Sequence, residues 1–231
     1  MRVVGVTGGI ASGKSLVLRA FMRLGAYGID CDVLSREVVT PCSKAWWQVV
    51  RRFGSEILSR DLEIDRKKLR AVVFRDPEKL RVLEKIIHPK VRAKCVERLE
   101  AVKKLSGGAE AEALVVVDVP LLIEKRLQAE FDKIILVFVG EATQTRRLTE
   151  RSAREGETLT REEVKKMISL QTPLKEKLRF ADFVINNEGT VEETEEQVRS
   201  VFATLTLTSR PAPTPQEQAS QFRQPKQRNG P

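Results

Sequence analysis

The stretch "GVTGGIASGKS", residues 5–15, follows Met1-Arg2-Val3-Val4 and concentrates four glycines and one lysine beside an apolar start. Within it, Gly8-x-x-x-x-Gly13-Lys14-Ser15 has the spacing of a phosphate-binding loop. Glycines let successive backbone N–H groups turn around a phosphate chain without side-chain clashes. A helix beginning just after the loop adds the positive end of its dipole. Lys14 then reaches the β- and γ-phosphates, and the Ser15 hydroxyl ligates Mg²⁺. A glycine-rich packing turn is the alternative reading. The apolar strand before the loop and the helical pattern after it favour the nucleotide. Gly8, Gly9, Ile10, Ala11, Ser12, Gly13, Lys14, Ser15 and Leu16 are therefore expected to hold ATP.

Moving outward, continuous apolar runs bounded by Gly, Asp or Pro predict buried parallel strands at Val3–Thr7, Tyr27–Asp30, Leu114–Val119, Ile134–Val139 and Phe183–Asn186. Helical patterns lie between them. Leu18, Phe21 and Leu24 share a face over residues 15–24, and Gly25 is a stop signal. Val91, Cys95, Leu99 and Val102 follow the helical period after Pro89, which reads as the entry to that helix. Thr160 with Glu163 forms a capping-box pattern. Strands alternating with helices predict a three-layer α/β fold with a mostly parallel sheet of about five strands. The charged interval from about 35 to 106 lacks a strand pattern and reads as a helical insertion, and residues 105–113 read as a surface loop. Five of the ten prolines fall from residue 209 onward, so 209–231 is expected to be a disordered Pro/Gln-rich tail beyond a domain of residues 1–208.

Composition narrows the function. The 231 residues are 41% hydrophobic and 32% charged, ordinary values for a globular chain, and no run of apolar residues is long enough for a membrane span. No signal-peptide pattern opens the chain. Cys31, Cys42 and Cys95 are odd in number and unpaired in spacing, which suits a reducing, cytoplasmic setting. His88 is the one histidine, which excludes a multi-histidine zinc site. The net charge of +9 raises the question of nucleic acid, but +3 of it lies from Arg210 onward and no recognition module stands out. A phosphate-rich small ligand accounts for the remaining excess.

Two further stretches carry chemistry. Asp118 closes "ALVVVDVPLL", at the end of a buried strand that opens on the ligand crevice of such sheets. It is a candidate partner of Mg²⁺, with a cap or turn role as the alternative. No NKxD signature follows, which counts against a GTPase. In "IDCDVLSREVV", Asp30 and Asp32 end the second strand and Arg36 follows one helical turn later. A carboxylate there can accept a proton from an attacking alcohol while Arg36 holds substrate phosphate. A helix cap is the alternative for Asp-x-Asp.

Together these residues resemble the dephospho-CoA kinase family. The resemblance covers about residues 1–205 through an ordered series: "GVTGGIASGKS", "IDCDVLSREVV", "IIHPKV", "VVDVPLLIE", "TQTRRLTERS", "ISLQ" and "ADFVINNEG". It implies a P-loop kinase fold with a lid at about 143–172. It also implies transfer of the ATP γ-phosphoryl group to the ribose 3′-hydroxyl of dephospho-CoA, the last step of coenzyme A biosynthesis. By resemblance Asp32 is the catalytic base, Lys14 the phosphate-loop lysine, and Arg36 and His88 lie on the substrate side. Arg147 and Arg151 match lid arginines, and Asn187 lies near the adenine position. Their structural alternatives are a solvated face for the two arginines and a structural role for His88. Trp46, Trp47 and Phe53 read as insertion core, and Lys103-Lys104 and Lys165-Lys166 as solvated faces. The chain departs from the family pattern in Leu16, in a longer segment at 151–160 and in its tail. Other small-molecule P-loop kinases, acting on a nucleoside monophosphate or sugar acid, and a non-catalytic nucleotide binder are the alternatives. Neither nucleic acid nor membrane is an expected partner.

Overall fold

In the computed structural model, residues 1–74, 76–107, 113–156 and 159–207 are described. The apolar runs form one five-stranded parallel sheet: β1 (Arg2–Gly8), β2 (Tyr27–Asp30), β3 (Leu114–Asp118), β4 (Lys133–Phe138) and β5 (Phe183–Asn186), in the order β2-β3-β1-β4-β5. The helices are α1 (Lys14–Arg23), α2 (Cys31–Glu37), α3 (Lys44–Phe53), α4 (Arg66–Phe74), α5 (Pro77–Leu105), α6 (Glu141–Arg154), α7 (Arg161–Ser169), α8 (Leu174–Lys177) and α9 (Val191–Leu207).

The strands are apolar on both faces because helices cover both. Val4, Val6, Leu114, Val116, Ile135, Val137 and Ile185 pack on one side with Val17, Leu18 and Phe21 of α1 and Val198 and Leu205 of α9. The alternate positions, Val115 and Val117, pack with Ile29, Leu34 of α2 and Val102, Leu99 and Cys95 of α5. Each fully buried Val or Leu contributes about 1.5–3 kcal/mol. This gives the expected α/β layering. Between β2 and β3, α3 and α4 add a small core of their own, built on Val49, Phe53, Ile57, Leu69 and Val73. Trp46 is buried and donates its indole N–H to the Leu62 carbonyl (2.7 Å), whereas Trp47 is exposed and meets it edge-on.

One reading is corrected. Pro89 does not open a helix; it lies inside α5. The entry is Asp76-Pro77, where the Asp76 carboxylate accepts the Glu78 and Lys79 N–H groups at 3.0 and 3.2 Å. Pro89 lacks such a capping carboxylate and is exposed, so one missing amide is tolerated. The Lys90 ammonium meanwhile donates to the Ile86 carbonyl at 3.0 Å beside the interruption. Cys31, the first residue of α2, and Cys95 of α5 pack on the same core, both as free thiols. The capping box at Thr160 forms as read, with Glu163 answering the Thr160 N–H. Among the described residues no helix is long and apolar enough to cross a membrane. The 209–231 tail lies outside the described residues.

β1 sits at the switch point, with β3 on one side and β4 on the other, so the crevice opens at its carboxyl end. In register, Asp118 pairs with Val6 of β1 and with Asp30 of β2, which gathers the strand-end carboxylates there.

Candidate active site

β1 runs into the glycine loop and α1 begins at Lys14, as the sequence pattern required. Gly13 occupies the N-cap at φ +92°, a left-handed conformation that favours glycine, and supplies no side-chain cap. The first-turn amides of α1 thus face the loop with no side chain satisfying them, the arrangement that suits an anion. A Cβ at Gly13 would fall on the Asn187 side-chain amide.

The loop is held from behind by polar side chains. Asn187, buried after β5, donates from Nδ2 to the Ser12 carbonyl (2.8 Å) and accepts from the Thr194 hydroxyl (2.8 Å). Arg147 of α6 donates to the Asn187 carbonyl at 2.8 Å. Gln144 of α6 donates to the Ile10 carbonyl at 2.8 Å, and Gln171, just after α7, accepts the Ile10 N–H at 2.7 Å. Lys14 turns back on its own loop, with Nζ 3.3 Å from the Gly9 carbonyl.

The charges around Lys14 come from every layer. Burial lowers its pKa; Asp118 and Asp32 act in the opposite sense, and Lys177 and Arg151 add to the lowering. Asp118 is 2% exposed, and its Oδ1 has no hydrogen-bond partner. Burial raises its pKa to about 7; Lys14 opposes that rise, and Asp30 and Asp32 add to it. Lys177 of α8 is fully buried, 2.7 Å from Glu124.

The side of the site formed by α2 and α4 is more open. Asp30 is the N-cap of α2, its carboxylate accepting the Asp32 and Val33 N–H groups at 2.8 and 3.0 Å. Asp32 is thus an exposed residue of the first turn of α2, two residues beyond the strand end at which it was expected. Arg36 follows one turn later on the same helix. Arg66, at the start of α4, faces both: burial and the Arg36 guanidinium lower its pKa, Asp32 raises it, and Arg70 lowers it further.

Asp32, Lys14, Asp118 and Arg151 therefore share one electrostatic site, with the loop residues 8–16 beneath. Ser15 is exposed at the start of α1. Arg147 and Asn187 stand against the back of the loop. His88 is exposed, and burial lowers its pKa; the charges that act on it are Glu84 and Lys125, themselves an ion pair at 2.7 Å. Sequence reasoning missed Gln144, Gln171, Glu124, Lys177 and Arg66 as individuals. The first three sit in the stretches "TQTRRLTERS", "ISLQ" and "VVDVPLLIE", so the signal was present; Lys177 and Arg66 lie in ordinary charged sequence.

A family model for dephospho-CoA kinase matches residues 2–193. A dephospho-CoA kinase from Geobacillus kaustophilus is 43% identical over 199 residues, covering 86% of this chain and 94% of the relative. Among solved structures, TT1252 from Thermus thermophilus superposes with a TM-score of 0.69 at 33% identity, covering 89% of this chain and 98% of its own. The dephospho-CoA kinase from Campylobacter jejuni shares the fold, with a TM-score of 0.64 at 24% identity over 90% of this chain and 98% of its own.

Proposed function

The chain belongs to the dephospho-CoA kinase family, and from that premise we propose that it transfers the γ-phosphoryl group of ATP to the ribose 3′-hydroxyl of dephospho-CoA with Asp32 as base. The observation that carries this reading is the placement of the Asp32 carboxylate within the field of the Lys14 ammonium. A carboxylate in that field can take the proton of an alcohol presented to the γ-phosphate. Arg36 and Arg66, whose charges act together with that of Asp32, suit the diphosphate of such an acceptor.

The division of labour follows from position. The uncapped first turn of α1 and Lys14 cradle the triphosphate. Arg151 of α6, whose charge reaches Lys14, neutralises the transferring phosphoryl group. Arg147, held beside Gly13, supports the nucleotide side. Asp32 accepts the hydroxyl proton as the 3′-oxygen attacks in line, and ADP leaves. The segment carrying α6 and α7 covers the phosphates and keeps water from competing.

The residues present fit a magnesium ion. Asp118 offers a buried oxygen with no protein partner, and Ser15 offers an exposed hydroxyl. No cluster of three or more His, Cys, Asp or Glu suited to a metal occurs among the described residues, so the ion's other ligands would be phosphate and water. When bound, it supplies positive charge to the β- and γ-phosphate oxygens.

The test is an acceptor comparison with Mg-ATP, supplying dephospho-CoA, nucleoside monophosphates and sugar acids in turn. Coenzyme A and ADP are expected from dephospho-CoA alone; phosphorylation of another acceptor in its place overturns the substrate assignment. Asp32→Asn is expected to lower kcat about 10²–10⁴-fold with ATP binding retained. An unchanged kcat removes Asp32 from the base role.

A further inference from the structure

Both peptide groups of Ile10 are held by glutamines that come from the two ends of one chain segment. Gln144, buried in the first turn of α6, donates to the Ile10 carbonyl at 2.8 Å; Gln171, half-buried just beyond α7, accepts the Ile10 N–H at 2.7 Å. The next residue, Ala11, lies at φ +57°, in the left-handed region that non-glycine residues disfavour. Such a conformation persists where its surroundings over-determine it. Fixing the peptide planes on both sides of Ile10 sets the direction in which the chain enters Ala11, and hence where the following loop amides point.

The clamp is itself anchored. Beside Gln171, the Thr172 N–H donates to Glu124 Oε1 at 3.1 Å, and the same oxygen lies 2.7 Å from the buried Lys177 ammonium. On the other side, a Cβ at Gly9 would fall on the Gln144 amide, so the glycine admits the glutamine to the backbone.

We infer that Gln144 and Gln171 are positioning residues that preorganise the phosphate loop, acting together through the Ile10 peptide groups. They touch the loop backbone and leave the acceptor side alone. The inference rests on reading the loop as a triphosphate site, and its magnitude on one neutral hydrogen bond each.

In the full-length protein, Gln171→Met and Gln144→Ala are each expected to raise the ATP Kd, measured by calorimetry without acceptor, by roughly fivefold. The ATP KM should rise in parallel, with the acceptor KM within about twofold of wild type and Tm nearly unchanged. Because both act on one peptide segment, the double variant should lose less than the product of the single losses. An unchanged ATP Kd in a folded single variant overturns the inference. So does a fall in Tm with both KM values altered alike, or a double variant whose losses multiply. If Gln144→Ala does not fold, Gln171→Met alone decides. A wild-type protein that binds ATP but phosphorylates a different alcohol defeats the substrate assignment and leaves the clamp standing.

Discussion

The proposed donor and acceptor sides of the site are built by different physics. The former is backbone, gripped by neutral amides that are buried or half-buried: Asn187 on Ser12, Gln144 and Gln171 on Ile10. The acceptor side is side chain: Asp32, Arg36 and Arg66 are exposed charges on the first turns of α2 and α4 and one turn beyond. Neutral hydrogen bonds in a packed interior hold geometry and are little affected by salt. Exposed charges attract over several ångströms and are screened by it. On the proposed reading, the triphosphate thus meets a preformed cradle, while a charged acceptor meets a field.

The sharpest way to break the contrast is Lys14→Met, which removes the loop's own cation while keeping its bulk. A fall in kcat of about 10³ is expected, by analogy with the loss of one preorganised charge-stabilising donor. A loss below tenfold would mean that the cradle works without its lysine.

Asp118 tests burial on the donor side. Its proton leaves the folded protein near pH 7 but leaves the unfolded chain near pH 3.8. Between those values the unfolded chain binds fewer protons than the folded one, so ligand-free stability is expected to fall as pH rises. Asp118→Asn removes this slope. Its Tm at pH 8 should exceed the wild type's by a few degrees, at about 2–4 °C per kcal/mol, while phosphoryl transfer declines. Identical pH–Tm curves for the two proteins would show that the Asp118 carboxyl is not desolvated.

Arg66→Ala carries the smallest expected effect and addresses the acceptor side. The acceptor KM should rise about two- to fivefold at low salt, and the difference from wild type should shrink toward 0.5 M salt as screening sets in. The ATP KM should stay put. A change in the ATP KM instead would place Arg66 on the donor side and dissolve the contrast.

What was legible in the sequence follows the range of the forces involved. All five strands came from local apolar runs, because a parallel strand buried on both faces must be apolar throughout. The glycine loop was legible because its chemistry lies within eight consecutive residues, 8–15. Thr160 with Glu163 gave α7, and the same pattern at Thr190 and Glu193 caps α9, where Glu193 N–H donates to the Thr190 hydroxyl at 3.2 Å. That second box was there to be read. Pro89 misled because Pro marks a helix entry only when a capping group precedes it, as Asp76 precedes Pro77. The resemblance puts Asn187 near the adenine position; that its side-chain amide bonds Ser12 and Thr194 is something only the fold revealed.

By itself, the sequence determined the layered sheet, the phosphate loop at the end of β1 and the carboxylate stretches at the ends of β2 and β3. Each of these is a local pattern whose meaning survives without knowing its neighbours. Only the tertiary structure decided what holds the loop still. The partners of Ile10 lie 134 and 161 residues away, and that of Ser12 lies 175 away. A glutamine that bonds a distant backbone atom leaves no periodicity behind, because backbone atoms are the same at every position. The glycines made room for the cradle; the amides from the far half of the chain gave it its shape.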